Sequence, residues 1–368
     1  MSFDEIGALL DQEEALSLER AQDVVALRVQ VAELQAQKAD LEAKLAACLD
    51  EPGPTPGLRR LAGWWASGAM EQDVAELEAM SDTSPAIVRT RGGEGEFDDP
   101  WLKPDALRMA NKGYIPSLQI QPKTGSGSQR RGVGVERILT GAFDATIRAG
   151  MNEWKQLPAG MRFPCEIVSE ANIQQAPVEA QPYLAGYDAG SKSCKRQMTA
   201  DEFAALLRYL DEIARNVGVR DRMVTCVSLA GKKWGSTQAS DPWSGVSMRT
   251  RLQPLVDDGV VDIIAVDGYC GGRFSSSNTP AVIGTGVKKI AKDLGVPWAV
   301  METGVVGTAA FKAKWYRDWL PLLDDNCYAF VQNVTQEQGS PDLDFRPWVP
   351  TGAIAGFNDL MAGLGQHP

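Results

Sequence analysis

From Val24 onward the apolar residues recur every seven positions in two registers. Val24, Val31, Lys38 and Leu45 form one seam, and Leu27, Leu34, Leu41 and Cys48 the other. The flanking positions are Glu, Gln, Asp, Lys and Arg, so the apolar stripe is narrow, as in a coiled coil. An amphipathic helix folded onto the following domain is the less favoured alternative. The pattern predicts a coiled-coil oligomerisation helix over residues 1–50, self-associating through residues 24–49 as a dimer or trimer. Val on the first seam with Leu on the second leans toward two strands, and Lys38 is compatible with either number. Cys48 sits where neighbouring helices could be cross-linked. The helix must end at Glu51-Pro-Gly-Pro-Thr-Pro-Gly57, where three prolines remove amide donors and leave a semi-stiff linker over 51–57.

Beyond the linker, short apolar runs alternate with segments whose apolar residues are spaced three and four apart. The runs predict strands at 60–66, 86–90, 114–120, 163–169, 222–229, 260–267, 297–301 and 327–332. Between them lie amphipathic helical stretches such as Leu139, Phe143, Ile147, Met151 and Trp154, or Phe203, Leu206, Leu207, Leu210 and Ile213. Strand and helix take turns. Eight such units across residues 58–368 predict an α/β fold, a (β/α)8 TIM barrel. A doubly wound sheet would more often show fewer strands and a glycine-rich first turn. In a barrel, chemistry gathers at the C-terminal ends of the strands, so the residues closing each apolar run are the ones to inspect.

Composition narrows the chemistry. The 368 residues carry a formal charge of -11, of which -7 falls in the first fifty residues, so nucleic acid is not an expected partner. No apolar run approaches the ~18 residues of a membrane span. The acidic N-terminus lacks the pattern of a secretory signal. The single histidine is His367, near the C-terminal end, which excludes a Ser-His-Asp triad or a Cys-His dyad within the barrel. Six scattered cysteines show no CxxC pair, and Cys165, Cys226, Cys270 and Cys327 read as small hydrophobes within strand segments. No metal and no cofactor are expected. The glycine-rich stretches 125–132 and 284–289 match neither phosphate-binding spacing and read as loops.

Two apolar runs end in a carboxylate. The fourth closes as Ile167-Val-Ser-Glu170-Ala-Asn172 and the seventh as Trp298-Ala-Val-Met-Glu302-Thr-Gly304. A pair of carboxylates across a sugar ring is what glycosidic cleavage requires, one protonating the leaving oxygen and the other attacking or stabilising the anomeric centre. Taken singly, each glutamate would more often cap a helix or pair with a loop arginine. Glu166 shares the parity of Glu170 on strand four, but at ~3.3 Å per residue it would lie about 13 Å deeper, too far to share a sugar with Glu302.

On these residues the chain resembles the clan of retaining (β/α)8 glycoside hydrolases whose acid/base glutamate ends strand four and whose nucleophile ends strand seven. Within it the chain is most similar to the mannanase-like family 26 group. The resemblance runs from about 60 to 350 and rests on Val168-Ser-Glu170-Ala-Asn172, on Val261 through Asp267-Gly-Tyr269, and on Pro297 through Glu302-Thr-Gly304. It implies Glu170 as general acid/base, Glu302 as nucleophile, Tyr269 as the strand-six tyrosine bonded to the nucleophile, and Asp267 as a neighbour shaping the pocket. Where the clan has Asn, and the family 26 group His, just before the acid/base, this chain has Ser169; Asn172 is the candidate substitute donor.

Further candidates for substrate contact follow from position. Trp234 and Trp243 stand in a polar loop after strand five, where sugar stacking and loop anchoring are equally expected. Of Trp64 and Trp65 at the end of strand one, Trp65 is favoured to point inward. Arg89 or Arg91 could bind an acidic sugar or orient a glutamate, although a salt bridge to the Glu94, Glu96, Asp98 and Asp99 cluster is the preferred reading. Gln119, Gln121, Gln332 and Asn333 are polar groups at the ends of strands three and eight.

The leading expectation is thus a retaining glycoside hydrolase of polysaccharide, presented as an oligomer on a coiled-coil stalk. Without a secretion signal, that combination points to a bacteriophage tail component acting at the cell surface among other virion tail proteins, with a cytoplasmic enzyme as the alternative. Ser169 and the dedicated stalk motivate a second reading, a non-catalytic carbohydrate-binding or structural virion protein with a glycosidase-like barrel.

Overall fold

The computed structural model describes residues 61–66, 74–75, 78–79, 85–90, 97, 99–124, 131–168, 184–188, 193–272, 274–333, 344–347 and 349–364. They belong to the compact unit Leu58–Pro368. The coiled coil expected over 1–50, its seam at 24–49 and the linker 51–57 lie outside the described residues.

Eight parallel strands close into a barrel: β1 (Leu61–Ala66), β2 (Ile87–Thr90), β3 (Ile115–Ile120), β4 (Phe163–Ile167), β5 (Met223–Ala230), β6 (Ile263–Cys270), β7 (Trp298–Val305) and β8 (Cys327–Asn333). Each pairs with its neighbours in sequence, and β8 returns to β1 with Leu61 opposite Ala329 and Trp65 opposite Asn333. Eight helices are described: α1 (Pro104–Asn111), α2 (Val135–Leu139), α3 (Asp144–Glu153), α4 (Ala200–Val217), α5 (Gly245–Asp257), α6 (Pro280–Leu294), α7 (Ala309–Trp319) and α8 (Ile354–Leu364).

The strands are apolar on both faces because both faces are buried. Outward residues such as Leu118, Ile120, Ile167, Val227, Ile264, Val300 and Phe330 form one core with the helix faces, including Phe203, Leu207, Met248 and Val287. Inward residues Ile87, Val224, Cys226, Ile263, Ala265, Ala299, Met301 and Val331 fill the inside of the barrel. Local chemistry fixes the helix ends. At α4 the Thr199 side chain accepts from the Glu202 amide while the Glu202 carboxylate accepts from the Thr199 amide, and Gly218 at φ 80° stops the helix in the left-handed conformation.

Among the strand ends that differ from the expected boundaries, three bear on the site. β4 stops at Ile167, because Val168 takes φ 54°, a left-handed conformation that a β-branched residue adopts only under strain. β6 continues to Cys270 and β7 to Val305, so Asp267, Tyr269 and Glu302 all lie within strands. Between β6 and β7 the register jumps from Val266 opposite Val300 to Asp267 opposite Glu302, leaving Met301 without a partner strand residue. Such a bulge adds one residue and re-aims the side chains that follow, so Met301 and Glu302 both serve the barrel interior.

Candidate active site

Toward the C-terminal ends of the strands the apolar filling gives way to polar side chains. Arg89 enters from β2, Gln119 from β3, Glu166 from β4, Asp267 and Tyr269 from β6, Glu302 from β7 and Asn333 from β8. All are buried except Glu302, whose side chain is 12% exposed.

Glu302 is held at both oxygens. The Tyr269 hydroxyl donates to Oε1, and the Arg89 Nη2 lies 3.2 Å from Oε2. Arg89 is itself fixed by what the bulge releases, since its Nη1 donates to the Met301 carbonyl at 2.7 Å. Its Nη2 also meets Glu166 Oε2 at 2.9 Å, and Gln119 Nε2 donates to that same oxygen at 3.0 Å. Gln121 in turn donates to the Gln119 Oε1 at 3.3 Å. Burial raises the Glu302 carboxyl above its ordinary value of 4.5; Arg89 and the Tyr269 hydrogen bond oppose that rise, and the nearby Glu166 adds to it.

Tyr269 is positioned from all sides. Its ring stacks on Phe274 and packs against Phe345, each with centroids 4.9 Å apart. Its hydroxyl accepts from Asn333 Nδ2 at 3.3 Å, and its carbonyl accepts from Asn278 Nδ2 at 3.0 Å. The close approach of Phe345 requires Gly304 on β7, where a Cβ would fall 2.7 Å from Phe345 Cδ1 and 2.9 Å from Tyr269 Cε1. Phe345 is held from behind by Lys312 on α7. This buried lysine donates to the carbonyls of Asp344 and Arg346 at 2.7 and 3.0 Å, and desolvation lowers its ammonium to about 8.

The structure thus brings together Glu302, Tyr269, Asp267 and Arg89 among the residues singled out by sequence. Asp267 is fully buried and is the register neighbour of Glu302. Trp65 is placed by its backbone alone, opposite Arg89 and Asn333. Glu170, Asn172 and Ser169 lie outside the described residues.

Other expectations need correction. Trp234 and Trp243 are each only 2% exposed and do not offer a ring to a sugar. Trp234 is drawn in because its indole N–H donates to the Ala265 carbonyl at 2.6 Å, and Trp243 packs against Phe203 of α4. Both anchor the loop after β5. Gln332 is fully buried, and its amide nitrogen is spent on the carbonyls of Asn333 and Phe345. It braces the segment after β8 instead of reaching a substrate. Glu166 is not remote from Glu302, because a single guanidinium nitrogen touches both. Depth counted along one strand does not transfer across the barrel, where tilt and shear stagger the strands. Phe345, Phe274 and Lys312 escaped the sequence reading; Gly304, directly after the polar Glu302-Thr pair, was the one local sign of a close approach.

No protein-family model matches the sequence, and no curated protein sequence does. Solved structures share the fold. A GH26 β-mannanase from Bacteroides ovatus superposes with a TM-score of 0.54 at 14% identity, over 84% of this chain and 90% of that one. A fungal β-1,4-galactanase gives 0.55 at 13% identity, over 81% and 99%. A GH10 endo-β-1,4-xylanase from Gloeophyllum trabeum gives 0.53 at 11% identity, over 83% and 98%. At these identities the likeness is one of fold. Among the described residues no helix is long and apolar enough to cross a membrane.

Proposed function

We propose that this protein is a retaining glycoside hydrolase acting on a polysaccharide, with Glu302 as nucleophile and Glu170 as general acid/base. The observation that carries the reading is the grip on Glu302. A carboxylate in the C-terminal half of a barrel strand, partly exposed and bonded at one oxygen by Tyr269 and at the other by Arg89, is held for attack on an anomeric carbon. The fold shared with a mannanase, a galactanase and a xylanase supports the same chemistry.

In the first step a Glu302 oxygen bonds to the anomeric carbon as the glycosidic C–O bond breaks, and the leaving oxygen takes the proton of Glu170. In the second, water gives a proton to Glu170 while its oxygen displaces Glu302 from the anomeric carbon, restoring the starting configuration. Neither step requires histidine or metal. Tyr269 and Arg89 would hold the carboxylate in one orientation through both steps and share the charge it regains when the intermediate breaks down.

Reducing-end release from mannans, glucans, xylans, galactans and bacterial cell-wall polysaccharides tests the reading, with Glu170→Gln and Glu302→Gln run beside wild type. Release by wild type alone, with a retained anomeric configuration in early product by proton NMR, is the expected result. Binding without cleavage by all three proteins would instead identify a carbohydrate-binding or structural protein, the reading that Ser169 motivates. Display in several copies, as in a bacteriophage tail, is the finer part of the proposal. It rests on the heptad seam over residues 24–49, and light scattering that gave a monomer for the full chain would remove it.

A further inference from the structure

Glu166 is a fully buried carboxylate with no surface to offer a substrate, so the two-glutamate chemistry proposed above does not use it. Its environment is nonetheless built around Glu302. Its Oε2 takes the Arg89 Nη2 at 2.9 Å and the Gln119 amide at 3.0 Å, while its Oε1 has no hydrogen-bond partner. The same Arg89 nitrogen reaches Glu302 Oε2 at 3.2 Å. Two carboxylates therefore share one guanidinium. Glu166 Oε2 and Glu302 Oε2 compete for the same Arg89 nitrogen.

We propose that Glu166 is a positioning residue for Glu302: by holding the Arg89 Nη2 that Glu302 also contacts, it sets where the guanidinium meets the Glu302 carboxylate and how much of its charge that carboxylate receives. The proposal rests on the reading of Glu302 as nucleophile. A carboxylate fully neutralised by a bidentate arginine is a poor nucleophile, and one with no cation beside it in a buried site would take up a proton. Sharing Arg89 puts Glu302 between these limits. The groups that face Glu302 among the described residues are Arg89 from β2, Glu166 from β4, and Asp267 and Tyr269 from β6, with β8 adding only the neutral Asn333, through Tyr269. Glu166 is thus the group that acts on Glu302 through the guanidinium.

The test is the titration of Glu302 in the full chain, read from carboxyl-13C glutamate and assigned by loss of its resonance in Glu302→Gln. Glu166→Gln keeps the shape and an acceptor for Arg89 but removes the charge. It should lower the Glu302 midpoint by about one pH unit, the size expected for removing a like charge at this range in a protein interior. Glu166→Asp, which withdraws the carboxylate by one methylene, should move the midpoint in the same direction by less. A midpoint unmoved in both variants overturns the proposal, as does one unmoved in Glu166→Asp should Glu166→Gln not fold. Where wild type cleaves a polysaccharide, the acid limb of kcat/KM should shift by the same amount in Glu166→Gln with KM within about twofold. A purely structural role would scale activity with the folded fraction and leave the limb in place. Absence of any cleavage would defeat the glycosidase reading, while the 13C titration would still decide whether Glu166 acts on Glu302.

Discussion

Removing Arg89 should expose how much of this barrel's stability is held at its candidate active site. In Arg89→Met the side-chain volume is largely kept, but Glu166 and Glu302 lose the cation between them and the Met301 carbonyl loses its donor. At an effective dielectric of ~20 and a separation of ~6 Å, two unscreened carboxylates repel by about 3 kcal/mol. That cost has a ceiling. Protonating one carboxyl at pH 7 costs about 1.36 kcal/mol for each of the roughly 2.5 pH units above its ordinary value of 4.5, or about 3.4 kcal/mol. Adding an unsatisfied carbonyl worth about 1 kcal/mol places the loss near 4–5 kcal/mol, within the range for stripping one partner from a buried ion pair.

The pH dependence is the sharper test of this account. Glu302 already has a raised value in the folded protein, so its favourable contribution is complete below about 4.5 and is lost as pH rises through the folded value. Without Arg89 the folded value climbs further, and the window of loss extends upward. The gap between variant and wild type should therefore widen with pH by up to about 1.36 kcal/mol per unit above the wild-type Glu302 value. Urea denaturation followed by circular dichroism at pH 5, 6, 7 and 8 measures it. A deficit below 1 kcal/mol, or one constant across that range, would refute the reasoning.

Glu302→Gln removes an ionisation that burial opposes, so it should stabilise the protein by about 1 kcal/mol at pH 7 while leaving it unchanged near pH 4; melting curves at the two pH values check it, and an equal gain at both would contradict it. Gly304→Ala drives a methyl into Phe345 and Tyr269, and should cost about 1–3 kcal/mol in urea denaturation while lowering turnover at least tenfold by displacing the Tyr269 hydroxyl from Glu302. Lys312→Met leaves the carbonyls of Asp344 and Arg346 without a donor and should cost about 1–3 kcal/mol at pH 7. Because the folded lysine titrates near 8 against an ordinary 10.5, the unfolded chain binds more protons between those values and wild type gains stability as pH rises through them. The Lys312→Met deficit should thus grow from pH 8 to pH 10 in the same assay.

The barrel was legible because its strands are buried on both faces. Apolar runs such as Met223 to Leu229 or Cys327 to Val331 stand out against amphipathic helices whatever the neighbouring strand does. The same logic explains the boundaries that slipped. β6 and β7 were expected to stop at Asp267 and Met301 because polar residues interrupt their runs, yet both strands continue, with the polar side chains absorbed by a shared interior network. Glu302 could be found because it closes an apolar segment, whereas Tyr269 entered only through the family resemblance. The tryptophans after β5 could not be placed by composition, since a polar loop gives no sign that the indole of Trp234 reaches a strand carbonyl.

What the sequence concealed was the contact across the barrel. Arg89 and Glu166 are far apart in the chain, and the arginine's nearer acidic cluster at 94–99 offered a simpler partner. Two features of the closed sheet decide otherwise. β4 stops at Ile167, so Glu166 lies one residue from its end, whereas β7 runs three residues past Glu302; with tilt and shear staggering the strands, counting residues down one strand misjudges distance to another. The bulge at Met301 then turns a carbonyl and the next carboxylate toward the same guanidinium. Neither feature leaves a mark in hydrophobic periodicity, which reports burial but not register. The residues around Glu302 are therefore specified by how the barrel closes, and a second carboxylate that looked too deep to matter becomes the one that shares its arginine.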